Sequence, residues 1–355
     1  MGKIITFRDL VGLIKDKASL SKAALLSKPN AVSIRLAVLR ATTHSPPAPP
    51  DDHHISALLL FGEASRSTAS PIIAALMDRL HRTGNCVVAL KCLLLIHNII
   101  LRGPFILQDQ LSIFPATGGY NYLKLSNFRD GATAASWALS SWVRWYARFL
   151  ETLLSTSRVL GYFVCSSSCS MVKENKEHRI SSFLNVDLVK EFDSLVVLIE
   201  EICKVPDNLA AEGDKLVTEI TGLLLSDYIS SVNEILLRLG EFNERVSSLS
   251  FGDSVELVCG LKRLQDCRER LSVLYVVNKP SIEMMWSSVT ELKDRIGMLN
   301  REGGRVLTWR TRGNGSESAR YEQRVLLRDD SVHFQSGRLS INSVPSFLAL
   351  DKYSF

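Results

Sequence analysis

The chain has 355 residues, 46% hydrophobic and 22% charged, which is enough apolar material to bury a core of ordinary size. These proportions exclude a wholly disordered or collagen-like protein and allow one large domain or two modest ones. The net charge of +5 is placed unevenly, because residues 1–44 carry eight Lys and Arg against two Asp and the remainder sums to about −1. Such a basic end favours an anionic membrane or a nucleic acid as partner, unless it is simply a solvated helix face.

No segment of the sequence predicts a membrane span or a secretory signal. The longest apolar run, residues 87–101, contains Lys91 and His97 and is shorter than the roughly 20 residues that cross a bilayer. We therefore expect a cytoplasmic protein, or one on a membrane surface that faces the cytosol. The seven cysteines are odd in number and show no paired zinc spacing, so we expect reduced core thiols and no metal site.

Apolar residues recur at intervals of three and four along most of the chain, which predicts a succession of helices. The first carries a core-facing stripe at Phe7, Leu10, Val11 and Ile14. A second stripe and seven longer segments follow, separated by stretches rich in Pro and Gly. They are the stripe Ile34, Ala37, Val38 and Ala41, and the segments 54–61, 70–82, 85–101, 134–154, 184–203, 215–249 and 255–277.

Two changes in composition predict how the helices are organised. The serine-rich segment 166–170 marks a seam between an N-terminal helical stack, residues 1–165, and a second helical bundle, residues 171–300. Beyond residue 300, Gly, Ser and Arg interrupt the apolar spacing, so residues 301–355 are expected to form a mostly disordered tail.

A search for catalytic constellations indicates that the chain is not an enzyme. It contains no GxGxxG, Gx4GK[ST], HExxH or GxSxG pattern. His97 lies inside an apolar helical segment and is interpreted as a hydrogen-bonded core histidine rather than a catalytic one. Helical proteins of this kind bind other molecules more often than they catalyse reactions.

One predicted helix start combines features that favour an anion. A helix that ends near Arg40 is followed by a proline-rich loop and then by Asp51-Asp52-His53-His54, which opens the next helix. Free N–H groups and the positive end of the helix dipole meet at such a start, so Arg40 and the two imidazoles could close around a phosphate. The alternative is that Asp52 caps the helix and both histidines are ordinary surface residues.

Four ordered segments of the chain carry a recognisable pattern. They are Arg40-Ala-Thr-Thr-His44 with the following His53-His54, Val88 to Gly103 with Lys91 and His97, Leu125-Ser-Asn-Phe-Arg-Asp130, and Trp142-Val-Arg-Trp-Tyr-Ala-Arg-Phe-Leu-Glu151. In this order they resemble the ANTH domain of clathrin-assembly proteins of the CALM type, and among these the plant members most. Together they cover residues 40–151, which makes the resemblance much stronger than any single segment would.

The resemblance implies an all-α fold, a right-handed superhelical stack of helices extended by a second bundle. It also implies binding of phosphatidylinositol 4,5-bisphosphate at the N-terminal surface. Arg40 stands in place of the family's first headgroup lysine, His53 in place of its last lysine and His54 in place of its histidine. The wider basic face is expected to contribute Lys15, Lys17 and Lys28.

This sequence departs from the family pattern at Asp51 and Asp52, which stand where animal members have lysines. Two carboxylates near a phosphate repel it, and a histidine with an ordinary pKa of about 6.5 is mostly neutral in the cytosol. We therefore expect weaker headgroup binding than is usual in the family. It should rise as the pH falls from 7.5 to 6, because the imidazoles gain charge.

The C-terminal tail carries one short apolar segment that approximates a clathrin-binding peptide. The residues proposed to contact clathrin are Phe347, Leu348, Leu350 and Asp351. Their pattern is hydrophobic, hydrophobic, any residue, hydrophobic and acid, and such a peptide would insert its apolar side chains into a groove of the partner.

These features predict a non-enzymatic peripheral membrane adaptor of clathrin-coated pits and vesicles, at the plasma membrane or the Golgi. The expected partners are a phosphoinositide membrane and the clathrin heavy chain, with adaptor complexes and SNARE helices as further partners suggested by the resemblance. No cofactor is expected. A nucleic-acid partner is not expected either, because the basic end lacks aromatic residues for base stacking. The alternative is a helical protein-interaction scaffold in which Asp51 and Asp52 have weakened or abolished lipid binding.

Overall fold

The computed structural model describes residues 7–26, 29–63, 65–114, 123–166, 176–206, 213–275 and 279–313. Within these ranges the chain forms thirteen α-helices and a 3-10 helix at Val246–Ser248, with no strand, which confirms the predicted all-α class. The helices are α1 Phe7–Leu26, α2 Pro29–Ala41, α3 Asp52–Glu63, α4 Arg66–Arg82, α5 Cys86–Arg102, α6 Phe105–Ser112, α7 Ala134–Leu160, α8 Lys176–Ser181, α9 Asn185–Cys203, α10 Lys215–Arg245, α11 Phe251–Asp266, α12 Arg268–Leu274 and α13 Pro280–Gly313.

Local sequence sets several of the helix ends. The side-chain oxygen of Asn85 accepts hydrogen bonds from Val87 N at 2.9 Å and Val88 N at 3.1 Å, which caps the start of α5. α7 begins at a reciprocal capping box between Thr133 and Ser136 and ends at Gly161, whose φ of 76° lies in the left-handed region that glycine adopts without strain.

The helices share one hydrophobic core that runs from α2 to α13. At its centre α7 packs against α5 and α9, and the rings of Trp142, Tyr146 and Phe149 are fully buried there. The indole Nε1 of Trp145 donates to the carbonyl of Glu201 at 2.9 Å, so a buried polar atom of α7 is satisfied by α9. The chain up to Leu299 is accordingly one compact unit, and helices on both sides of the predicted seam at 166–170 contribute to the same core.

Three of the described helices, α6, α8 and α13, were not among the predicted segments, and the others differ from the predicted ones mainly at their ends. The predicted segment 215–249 is helical only to Arg245 before a 3-10 turn, and the segment 255–277 is divided into α11 and α12 at Cys267. α13 passes the predicted tail boundary at 300 and ends at Gly313, whereas residues 314–355 lie outside the described residues. None of the described helices is long and apolar enough to cross a bilayer. Six of the cysteines are described, and all six are free thiols.

Candidate functional site

The loop between α2 and α3 is held in place by a buried lysine of α5. The ammonium of Lys91 donates to the carbonyl oxygens of Thr43 at 3.0 Å and Pro46 at 2.9 Å, and to the Thr43 hydroxyl at 3.3 Å. Burial lowers the pKa of Lys91 to about 8, against the opposing charges of Asp16 and Asp51. Lys91 thereby fixes the loop that separates Arg40 from the two histidines.

His53 and His54 lie side by side at the start of α3, within reach of the charge of Arg40. Arg40 is exposed in the last turn of α2, and the rings of His53 and His54 lie 3.8 Å apart between centroids. Burial lowers the pKa of His54, the charges of His53 and Arg40 lower it further, and Asp51 opposes them. His54 therefore gains its charge at a lower pH than an ordinary histidine does.

The two aspartates of this site play different parts. The carboxylate of Asp52 pairs with Arg102 of α5 at 2.6 Å, and both side chains are exposed to solvent. The cap position belongs to Asp51, whose carbonyl accepts from His54 N at 2.9 Å and Ile55 N at 3.2 Å. The alternative in which Asp52 caps α3 is therefore wrong. Arg102 balances the charge of Asp52. Asp51 has no such guanidinium partner in the part of the chain that the structure describes, and its charge therefore opposes an incoming anion.

Three residues at the start of α3 are close enough to share a metal ion. One ligand atom each of Asp51, His53 and His54 lies within 4.8 Å of the others. The positive end of the α3 dipole and the charge of Arg40, which acts on His54, oppose a cation here, whereas the carboxylate of Asp51 attracts one.

α1 docks on the α2–α3 loop through His44. Its backbone N donates to Asp16 Oδ2 at 2.9 Å, and its Nδ1 lies 2.6 Å from Asp16 Oδ1. Burial raises the pKa of Asp16, but the hydrogen bonds from His44 and the charge of Arg79 outweigh burial and leave that pKa below its usual value. Gly12 faces the same histidine so closely that a Cβ there would lie 2.9 Å from His44 Cβ. His44 thus anchors α1 and does not join His53 and His54.

The opposite face of α1 is apolar and exposed. Leu10, Leu13 and Ile14 are 50%, 40% and 60% exposed, so the prediction that Leu10 and Ile14 face the core is wrong. Glycine at 12 and aspartate at 16 occupy the inward face, which explains why the larger apolar residues point outwards. Lys15 and Lys17 are exposed beside them.

Of the remaining predicted site residues, one lines a cavity and the others lie outside the described residues. Lys15 lines a cavity with His44, Arg79 and Arg82, away from the residues that surround His54. Lys28 lies outside the described residues, as do Phe347, Leu348, Leu350 and Asp351. The sequence reasoning missed Arg79 and Arg82, because it counted basic residues only up to His44; the run Asp78-Arg-Leu-His-Arg82 at the end of α4 was the available signal.

Comparison with known protein families decides the classification. A family model of the ANTH domain matches residues 33–281. The chain belongs to the ANTH domain family. This confirms the resemblance read from the sequence, and since the family consists of non-enzymatic adaptors, it also confirms that the chain is not an enzyme.

Three relatives of this ANTH protein come from Arabidopsis thaliana. "Putative clathrin assembly protein At4g40080" is 50% identical over 350 residues, which cover 96% of each chain. "Putative clathrin assembly protein At5g65370" is 32% identical over 83% of this chain and 100% of its own, and "Putative clathrin assembly protein At5g10410" is 31% identical over 80% and 84%. The similarity to plant members of the family, expected from the sequence, is confirmed.

Proposed function

We propose that the protein is a peripheral membrane adaptor that binds phosphatidylinositol 4,5-bisphosphate and promotes clathrin coat assembly. The observation that carries the membrane part is the outward face of α1, where Leu10, Leu13 and Ile14 lie at helical spacing and are exposed. With Lys15 and Lys17 beside them, they form an amphipathic surface of the kind that inserts into the boundary between headgroups and acyl chains.

The headgroup site proposed for this membrane is the start of α3. Arg40 offers a fork of N–H donors that fits two phosphate oxygens, and the first turn of α3 adds backbone N–H groups and the positive end of its dipole. Asp52 is balanced by Arg102, which removes part of the repulsion expected from the sequence. Asp51 remains, and the lowered pKa of His54 reduces its positive charge near neutral pH, so the proposed affinity is lower than that of a site built from lysines.

The clathrin part of the proposal rests on the relatives, whose names describe clathrin assembly proteins. The segment Phe347–Asp351 is the proposed contact with the clathrin heavy chain. Clathrin-coated pits and vesicles of the plasma membrane or the Golgi are the proposed location. Adaptor complexes and SNARE helices remain proposed further partners.

Vesicle co-sedimentation tests the membrane part. The full chain is pelleted with vesicles that contain or lack phosphatidylinositol 4,5-bisphosphate, at pH 7.5 and pH 6. The wild type is expected to pellet only with the phosphoinositide, and more at pH 6. Arg40→Glu should lose most of the phosphoinositide-dependent fraction, whereas Leu10→Ser with Ile14→Ser should weaken retention without changing headgroup preference.

Lys190→Glu is the matched control, because Lys190 is an exposed cation of α9 far along the chain from both surfaces. It should pellet like the wild type. Equal pelleting of all variants, with and without the phosphoinositide, would contradict the adaptor and favour a protein-interaction scaffold.

The clathrin part has its own test. A pull-down with the purified clathrin heavy chain compares the full chain with a variant that lacks residues 347–351. The deletion should remove most of the recovered clathrin, and unchanged recovery would exclude this segment as the contact.

A further inference from the structure

A cavity bounded by α1, α2 and α4 is lined by four cations. It has a volume of about 240 Å³, and its charged lining residues are Lys22, Arg35, Arg79, Arg82 and the single carboxylate Asp78. A second cavity of about 640 Å³ shares Ser19, Arg79 and Arg82 with the first. Positive side chains of α1, α2 and α4 therefore line one continuous surface, here called the α1–α4 groove.

The acidic residues near the groove are already engaged. Asp78 pairs with Arg82 at 2.7 Å, and Asp16 is occupied by His44 and, at 3.5 Å, by Arg79. Asp130, at the far end of the larger cavity, accepts from Cys86 N at 3.0 Å and from Ala132 N at 3.2 Å. Lys22 and Arg35 are exposed at the edge of the smaller cavity. The field in the groove is consequently positive.

Among the cations that line the groove, Arg79 is the one held in place by a hydrogen bond to the backbone. Its Nη2 donates to the carbonyl of Thr42 at 3.1 Å, and its side chain is only 18% exposed. Its Nε is a buried donor that has no acceptor among the described residues. A buried donor without a partner is costly, and an oxyanion bound in the cavity would supply the missing acceptor. The guanidinium is thus held in place beside the exposed side chains of Lys22 and Arg35.

We propose that the α1–α4 groove is a second anion site, for a ligand that carries two or more phosphate groups. Several cations around a small concave volume match closely spaced phosphates, and the guanidinium forks of Arg35, Arg79 and Arg82 suit their oxygens. The larger cavity has the size of small-molecule sites, which run to about 300–1,000 Å³. The site is distinct from Arg40, His53 and His54, none of which lines either cavity. A phosphoinositide headgroup and a soluble inositol polyphosphate share this chemistry.

Isothermal titration of the full chain with inositol hexakisphosphate tests the site directly. The triple charge reversal Lys22→Glu, Arg35→Glu and Arg82→Glu should weaken binding of this probe by about tenfold or more, since each lost charged contact commonly costs a factor of that order. Arg82→Gln is the milder variant. Arg82 is 73% exposed, so its replacement leaves the fold intact, and a smaller loss of affinity is expected.

Vesicles that contain phosphatidylinositol 4,5-bisphosphate separate the two sources of phosphate. If the triple reversal weakens both probe and vesicle binding, the ligand is the lipid headgroup; if it weakens only the probe, the ligand is a soluble polyphosphate. Arg40→Glu separates this proposal from the previous section, because it should reduce vesicle binding and spare much of the probe affinity. The groove is excluded as the site if the triple reversal and Arg82→Gln both bind the probe as tightly as Lys190→Glu and the wild type.

Discussion

At the scale of single residues, close packing rather than charge decides where α1 lies. His44 lies so close to Gly12 that no side chain would fit there, and both carboxylate oxygens of Asp16 contact the same histidine. With this small residue and this acid on its inward face, α1 directs Leu10, Leu13 and Ile14 outwards. The contacts of Gly12 and Asp16 with His44 therefore also leave the apolar face of α1 exposed, and this face is the surface proposed to meet the membrane.

Gly12→Ala tests this anchor. The new Cβ would lie 2.9 Å from His44 Cβ, closer than carbon atoms approach, so α1 or the loop must shift at a cost of about 1–3 kcal/mol. We expect faster hydrogen exchange along α1. Gly222→Ala in α10 is the matched control, since its Cβ would meet nothing within 4 Å and alanine favours a helix by about 1 kcal/mol. Unchanged protection of α1 in Gly12→Ala would show that the close approach does not hold the helix.

The titration of Lys91, which holds the loop between α2 and α3, makes the stability of the folded protein depend on pH. Its pKa falls from 10.5 to about 8 in the folded protein, so between these values the unfolded chain holds more protons at this residue and folding stability rises with pH. The stability of the wild type relative to Lys91→Met should therefore increase by about 2 kcal/mol from pH 7 to pH 9.5. Urea unfolding of both proteins at each pH measures this difference in stability. Groups that titrate in both proteins contribute equally to the two and do not affect the difference. A constant difference would mean that Lys91 is not desolvated.

The contacts and positions of single residues were only partly predictable from the sequence. His97 is the buried, hydrogen-bonded histidine that its apolar segment predicts, with Nδ1 2.7 Å from the Tyr146 hydroxyl. Its other contact, Asp227 at 2.8 Å, comes from α10 and could not be read from any local pattern. The basic run at the end of α4 was visible in the sequence, but its position beside α1 and α2 was not, since that depends on how the helices pack.

At the scale of helices, apolar spacing locates the elements and caps refine their ends. α5 was predicted at 85–101 and is observed at Cys86–Arg102, because Asn85 provides the cap rather than the first turn. The short helices α6 and α8 escaped prediction, since eight and six residues are too few for a helical period to show. Exposure of the α1 stripe could not be predicted, because periodicity identifies an apolar face without saying what covers it.

Buried charge joins helices α8, α9 and α10. Arg238 of α10 is fully buried and donates to Glu191 of α9 at 2.6 Å and to Glu234 at 3.0 Å, while Lys176 of α8 lies 2.5 Å from Glu234. The Tyr162 hydroxyl also donates to Glu234. Such a network contributes little net stability compared with an apolar core, but the loss of one member leaves its partners charged and buried.

Arg238→Met should therefore lower the free energy of unfolding by about 3–5 kcal/mol, as measured in urea. Adding Glu191→Gln should recover part of that loss, because it removes one of the stranded carboxylates. Arg295→Met, at an exposed position of α13 where Arg295 contacts Asn243, is the control and should stay within about 0.5 kcal/mol of the wild type. If Arg238→Met and Arg295→Met were equally stable, the buried network would have no role in joining the helices.

At the scale of the whole molecule, the site surfaces and the second bundle depend on one core. α7 is the link, because it buries its apolar face against α5 on one side and α9 on the other. The serine-rich segment 166–170 was predicted to be a seam between an N-terminal stack and a second bundle, but composition does not report which helices pack together, and helices on both sides of it share the core. The N-terminal helices α1 to α5 thus present the proposed membrane surface on a frame that α9 and α10 complete.

A fragment of residues 1–166 should therefore fail to fold cooperatively, whereas residues 1–313 should unfold in one transition. Cutting at 166 exposes the α7 surface that packs on α9, including Trp145, whose indole N–H would lose the Glu201 carbonyl. An exposed apolar face of this size favours association over a stable monomer. Thermal unfolding and light scattering compare the two fragments. A monomeric 1–166 fragment with a sharp transition would mean that the N-terminal stack is an independent domain, and that the core shared through α7 is not needed to present the proposed membrane surface.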